Sequence, residues 1–436
     1  MNHMSIAIEQ VMTALSTITK NLPIGTNLAL LHFLWMLVGG AFLGSRGAIF
    51  PGLSSLGLAP DAVRRAWAAF RGGVWLVSEL LESWQRYIAD QGKWIVHQYE
   101  GYRPKAVDLT PFWRPTLKGC ESQHYHPQAG KALPAIPMGL VALVGHVGEQ
   151  RIAVLTDIVR ANLKDPSEKA LKANLLRRVA RRLGPDEMPV LDAGFKIKEL
   201  QEAKLERYVV RQAKNCTFRR NYLPPYKGRG RMPEYGPLVR PLARSRKGKS
   251  IPATPPDQTV TWTDELGLEL KAEMWLDLIA SASKPDPAAK TVDVTAIYDP
   301  RYTEPLLVAC PVRLKPTSLR GLYRDRWPVE QPPLAAKQMV GAERQFVFAP
   351  ESCQRLPELS LLAGSIQTYV AATLPAVPTG FWDRQPRRTP GRLRRVLMGQ
   401  PFPDLYPLPE RIREKASVTA HLPKGILGHR RVAQAI

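Results

Sequence analysis

The stretch that decides how this chain is read is 323-YRDRWPVEQPPLAAK-337. On a helical wheel at roughly 100° per residue, with Tyr323 at the origin, Arg326 falls at about 300°, Glu330 at about 340° and Lys337 at about 320°. One aromatic ring, two cations and one carboxylate would share a narrow face that is too charged to be a core. The bland reading of such a stripe is a salt-bridged surface helix. The chemical reading is a carboxylate that helps hold a metal, set among groups that grip phosphate oxygens. Pro328, Pro332 and Pro333 cut across the region, and prolines lack a backbone donor and kink or restart helices. Pro328 suits a first helical position, which would leave Tyr323 and Arg326 on a preceding turn.

The spacing Tyr-x2-Arg-x3-Glu-x6-Lys, with Trp327 directly after the arginine, resembles the signature of bacterial insertion-sequence transposases of the DDE type, the Tyr-Arg-Glu-Lys group of the insertion sequence 4-like superfamily. The resemblance implies that Glu330 is the third catalytic acid, that Arg326 and Lys337 hold phosphates near the cut, and that Tyr323 bonds or stacks beside them. Trp327 has two readings, packing against an unstacked base or filling the core.

Upstream, the pattern from about residue 103 is one of strands. Ala106 to Thr110 is a short strand with Asp108 inside it, and 138-MGLVALVGHV-147 and 151-RIAVLTDIV-159 read as a hairpin turned at Gly148 and Glu149. An amphipathic helix over 166–183, ended by Gly184, leads into 188-MPVLDAGF-195, with Asp192 at the end of its strand. Three strands, a helix and a strand, with acids on the first and fourth strands, is the arrangement of a ribonuclease H-like core. In such a core, two acids on neighbouring strands and a third on a later helix converge on metal. A carboxylate ending a buried strand is costly unless paired or metal-bound, and LDAGF resembles the Asp-x-Gly-Phe/Tyr motif of the same transposases. Asp157 also ends a strand-like run and is the rival of Asp108; strand order and the family's habit favour Asp108.

The expected fold class is α/β: a ribonuclease H-like core over 101–206 and 304–350, interrupted by a basic, mostly β insertion over 207–303. An all-helical DNA-binding domain precedes it over 1–100, and a helical and basic region follows over 351–436. The insertion occupies much of the 137 residues between Asp192 and Glu330. From Arg207 to Lys249 it carries 13 Lys and Arg against one acid, Glu234. Its piece 222-YLPPYKGRGRMPEY-235 interleaves tyrosine, glycine and arginine, so Lys227, Arg229 and Arg231 are expected to lie along a phosphate backbone. Strand-like runs follow at 258–263, 292–298 and 305–312, and the helix of the opening stretch is expected to continue to about Gln345.

A net charge of +23 points to a polyanionic partner, first of all nucleic acid. The four cysteines, Cys120, Cys216, Cys310 and Cys353, form no CxxC pair, which suits a reducing cytoplasm. Cys120, His124 and His126 lack a fourth ligand at a matching spacing and do not read as a zinc site. No GxxxxGK[ST] loop occurs, so ATP-driven chemistry is not expected. Nor is a leader expected: the first 26 residues lack a basic region followed by an apolar block. The apolar run Leu28 to Leu43 falls short of the roughly 18 to 20 residues of a membrane span and reads as a core helix.

The family resemblance then implies a two-metal mechanism. Asp108, Asp192 and Glu330 would bind two Mg²⁺ (or Mn²⁺) ions, one activating water or a 3′-hydroxyl and the other stabilising the leaving oxygen. The partners would be double-stranded transposon ends and target DNA, held by a homodimer at the bacterial nucleoid, with no membrane involved. A transposase-derived DNA-binding protein that no longer cuts, or a ribonuclease H-like nuclease, are the alternatives.

Overall fold

The computed structural model describes residues 3–226, 228–246, 248–378 and 380–414. The chain forms two compact units, Met1–Lys93 with Pro332–Ile436, and Trp94–Gln331. It opens with α1 (His3–Thr19), α2 (Thr26–Val38), α3 (Ala41–Gly44), α4 (Ile49–Ser54), α5 (Pro60–Gly72) and α6 (Val77–Gln91). The sheet unit then contributes β1 (Ile95–Val96), β2 (Arg103–Trp113), β3 (Gln123–His126), β4 (Lys131–Val147), β5 (Gln150–Arg160), α7 (Lys169–Arg181), β6 (Glu187–Leu191), α8 (Ile197–Glu202) and β7 (Val209–Arg211). Next come β8 (Phe218–Arg220), β9 (Leu238–Val239), β10 (Arg244–Arg246), β11 (Lys249–Ile251), β12 (Gln258–Thr263), β13 (Glu269–Ala280), β14 (Val292–Tyr298) and β15 (Leu306–Cys310). After α9 (Pro316–Arg324) and a 3-10 turn, Trp327–Glu330, the chain returns to the helical unit through α10 (Gln331–Leu334), a π-helical segment (Ala335–Val340), α11 (Pro350–Thr373), α12 (Pro390–Leu397) and α13 (Glu410–Arg413).

In the helical unit, α2 is apolar on every side and therefore has no face for water; it is buried from Ala29 to Val38. The Leu28 to Leu43 run is not one helix. It stops at Gly39 and Gly40, the latter at a φ of 80°, a left-handed conformation that favours glycine. Trp84 donates its Nε1 proton to Ser365 of α11 (3.1 Å) and meets Tyr369 edge-on, so this tryptophan serves packing. Among the described residues, no helix is long and apolar enough to cross a membrane.

The sheet unit is built on a mixed sheet with the order β5, β4, β2, β6, β7, β15, β14, β13, β8, β9 along its path from β5. Strands β2, β4 and β5 are antiparallel in succession, whereas β6 and β7 run parallel to β2. The strands of the 207–303 insertion continue this sheet through β13 and β14 rather than forming a separate one; β10 and β11 pair apart from it. Side chains alternate between faces along each strand. Val107, Val141, Leu191 and Val210 therefore share one face with Leu171, Leu175, Leu176 and Val179 of α7, residues one or two turns apart on one stripe of that helix. Val190, Val209 and Val308 share the other face with Leu319, Leu322 and Tyr323 of α9. Each such buried aliphatic chain contributes about 1.5–3 kcal/mol.

This alternation decides where the acids go. The register pairs Val107 with Leu191 on the α7 face, so the next residues, Asp108 and Asp192, turn side by side toward the α9 face.

The opening stretch does not form a single helix. Pro328 and the Pro332–Pro333 pair remove the donors a continuous α-helix needs, and the region divides into α9, the 3-10 turn, one turn of α10 and the π-helical segment, ending at Gly341 rather than Gln345. The shared stripe of Tyr323, Arg326, Glu330 and Lys337 is therefore absent. Lys337 lies in the helical unit, on the π-helical segment.

Candidate active site

Asp108 lies midway along β2, one residue past the stretch that pairs with β6, Asp192 follows the last residue of β6, and the 3-10 turn, lying against β2, β4 and β5, carries Glu330. Buried Pro328 and Val329 anchor this turn and leave Glu330 outward. Asp192 follows its strand directly and folds its carboxylate over the next turn, where Oδ1 accepts the Gly194 N–H at 2.9 Å. A Cβ at Gly194 would lie 2.9 Å from that same oxygen, so a side chain there would push the Asp192 carboxylate aside. Asp108 accepts the Leu109 N–H at 2.9 Å.

One cation stands among these acids. Arg326, buried to within 5 % of full burial, donates Nη1 to Asp108 Oδ2 (3.2 Å) and Nη2 to Glu330 Oε1 (2.6 Å). Its guanidinium lies 4.6 Å from the Trp327 ring, which is half exposed. Burial pushes the Asp108 carboxyl up to about 6; Arg326 opposes this, while Asp192 and Glu330 add to it. The three acids thus feel one another through a poorly solvated space. The Arg326 guanidinium, disfavoured by burial, is nonetheless held firmly charged by Asp108, Tyr323 and Glu330.

Tyr323 is 4 % exposed and its ring belongs to the apolar cluster under α9, so it does not present a face for stacking on DNA. Burial raises its hydroxyl pKa, and Arg326 and Arg211 act against that rise. Asp157, the rival first acid, points to the opposite side of the sheet. It pairs with Val141 on the α7 face, where Arg178 grips both its oxygens (2.8 and 2.7 Å). Cys120, His124 and His126 do not converge: His124 pairs with Glu168, and His126 lies against the Trp113 ring at 4.5 Å. In the insertion, Arg229 and Arg231 are exposed, Arg231 pairs with Glu234, and Arg219 and Lys284 both lie over Tyr235. Lys227 lies outside the described residues.

Sequence reasoning passed over the residue beside Arg326. Asp325 is fully buried and accepts hydrogen bonds from Tyr99 (2.9 Å) and Arg151 (2.6 Å), and it shares one with His97 (2.7 Å). His97 in turn meets His146 at 3.0 Å. Gly321 makes room for this arrangement, since a Cβ there would lie 2.2 Å from the Tyr99 ring. The network ties the end of α9 to β4 and β5 and so fixes the turn from which Arg326 and Glu330 project. Asp325 lies about 200° from Tyr323 on the wheel, which is why a search along the charged face misses it.

Three carboxylates offer the hard oxygen donors that divalent cations prefer. Their present arrangement does not suit an ion, because Arg326 joins two of them. Among the described residues, no three His, Cys, Asp or Glu side chains are grouped to hold a metal. No protein-family model matches the chain, and no curated protein is significantly similar to it.

Proposed function

We propose that this chain is a DNA transposase of the DDE type, which cuts transposon ends and joins them to target DNA by phosphodiester hydrolysis and transesterification. The observation that carries this reading is that Asp108, just past the parallel pairing of β2 with β6, and Asp192, just past the end of β6, lie near enough to each other and to Glu330 for the charges of Asp192 and Glu330 to act on Asp108. The order β5, β4, β2, β6, β7, with three antiparallel strands followed by α7 and a strand parallel to the first, supports a ribonuclease H-like core. The net charge of +23 and the exposed arginines and tyrosines of the insertion support DNA as the polyanion.

In this reading the cofactor is Mg²⁺ or Mn²⁺, as two ions, which when bound supply activation of the attacking oxygen and stabilisation of the leaving one. The chain's own contributions are charge and position. Arg211 presents forked donors to phosphate oxygens, as Arg326 would on leaving Asp108 and Glu330, Tyr323 supports them from the core, and the Asp325 network holds the turn. Lys337 is a phosphate contact by resemblance. The active form is a homodimer that pairs two DNA ends in a bacterial cytoplasm, with the helical region 1–100 as a further DNA contact. The bridge that Arg326 makes across two acids favours one second reading, a DNA-binding protein of transposase descent that does not cut.

The test uses supercoiled DNA carrying the sequences that flank the coding region, incubated with Mg²⁺ and either wild type or Glu330→Gln. Wild type is expected to nick and release the ends, while Glu330→Gln binds without cutting. If both bind and neither cuts with Mg²⁺ or Mn²⁺, the second reading replaces the first.

A further inference from the structure

We infer that Arg326 is the resident counter-ion of the acidic site and that DNA, by drawing its guanidinium away, opens the site to metal. This rests on the reading of Asp108, Asp192 and Glu330 as metal ligands and adds a condition to it: the protein without DNA holds divalent metal poorly.

Four observations lead here. The guanidinium spans Asp108 and Glu330, taking one oxygen from each acid. Those two oxygens already share their charge with a fixed cation, and two cations at one small acidic site repel each other, so a metal binds there less well. The hold is uneven: Asp108 is largely buried, but the Glu330 side chain is about half exposed, and an exposed pair is weak and screened by salt. Among the described residues, Arg326 Nε is buried with no hydrogen-bond partner, so the side chain leaves one donor unsatisfied where it stands.

The exit is also marked. The guanidinium lies over the half-exposed Trp327 ring, which gives it a flat surface to slide along while keeping its cation–π contact. Trp327 in turn borders a cavity of about 480 Å³ lined also by Arg211, Arg324 and Tyr323, and by Arg320, which Asp299 of the same lining holds. A phosphate backbone attracted to those cations offers Arg326 the forked oxygen pair that it takes from the two acids in the absence of DNA.

The purified full chain is titrated with Mn²⁺ in the absence of DNA, and free Mn²⁺ is read by its electron paramagnetic resonance signal. Wild type is expected to bind weakly alone, and at least about tenfold more tightly with double-stranded DNA present, as two charge-assisted hydrogen bonds no longer need to be broken. Arg326→Gln is expected to bind Mn²⁺ tightly without DNA, and Arg326→Lys to fall between, since a single ammonium cannot span both acids. Adding Asp108→Asn to Arg326→Gln abolishes the gain. Circular dichroism checks that each variant is folded, and wild type with and without DNA tests the inference even if the variants are not. If wild type binds Mn²⁺ equally well with and without DNA, the gate is overturned and the metal reading stands. If neither wild type nor Arg326→Gln binds Mn²⁺ even with DNA, both are overturned.

Discussion

Strands β2 and β6 run side by side in parallel, and their two ends handle charge in opposite ways. At the entering end, Arg103 meets Asp186 at 2.6 Å, and Lys105 donates to Glu187 at 2.5 Å. Glu187 also accepts the Gly184 N–H at 2.8 Å, and Arg207 bonds the Glu187 carbonyl. The Arg103 hydrogen bond holds Asp186 below the usual carboxylate range. Beyond the paired stretch, at the leaving side, Asp108 and Glu330 share one guanidinium with Asp192 close by, and burial pushes Asp108 up to about 6. One end is saturated with partners and holds the sheet; the other is left short of positive charge, which is the condition of a site that takes up a cationic or reacting partner.

The saturated end is where removal of one partner should hurt most. Lys105 and Glu187 are each 7 % exposed, so Lys105→Ala leaves a buried carboxylate with, among the described residues, a distant Arg103 and one backbone donor. Breaking a buried pair in this way costs about 3 kcal/mol, measured as a fall in the urea midpoint. A loss below about 1 kcal/mol would erase the contrast between the two ends.

The leaving end should respond with the opposite sign. The Asp108 carboxyl titrates near 6 in the folded protein against an ordinary 3.8, so its ionisation opposes folding. That cost is absent below the unfolded value, develops as pH rises from 3.8 toward about 6, and is complete at neutral pH. At about 1.4 kcal/mol per pKa unit it amounts to about 1–3 kcal/mol, less whatever Arg326 loses with its partner. Asp108→Asn is therefore expected to be more stable than wild type at about pH 7.5 and to lose this advantage by about pH 4, while cutting no DNA. A variant that is less stable than wild type at neutral pH would place Asp108 with the structural acids.

These differences were legible in the sequence to unequal degrees. Strands announced themselves through alternation and β-branched residues: β12 and β14 fall on the expected residues, and the 138–159 hairpin turns at Gly148 and Glu149 as expected. β4 begins at Lys131, seven residues earlier than expected, and it accommodates Pro134 and Pro137 within its length. Asp192 could be named because it ends an apolar strand, Asp108 from strand order and Glu330 from the spacing of the signature, but the wheel for residues 323–337 assumed an unbroken helix, which three prolines prevent. Arg326 was expected on phosphate, and the structure places it between two acids. The Asp325 network had no local signal at all, since its partners His97 and Arg151 are 228 and 174 residues away in the chain. Pairings at that range are set by the sheet, not by any periodicity.

Asp157 provides the smallest expected effect and the sharpest control on the comparison. It too ends an apolar stretch on a strand of this sheet, but it faces α7 and is 5 % exposed, with Arg178 bonded to both oxygens and Arg182 at 3.5 Å from one. The Arg182 side chain is more than half exposed, and the bidentate Arg178 already satisfies the carboxylate. Arg182→Ala should therefore change stability by no more than about 0.5 kcal/mol, an effect that fades further in high salt. A loss of several times that size in the urea midpoint would show Asp157 to depend on both cations. It would then be a second acid short of charge, and the division between a saturated structural set and a single starved site would no longer hold.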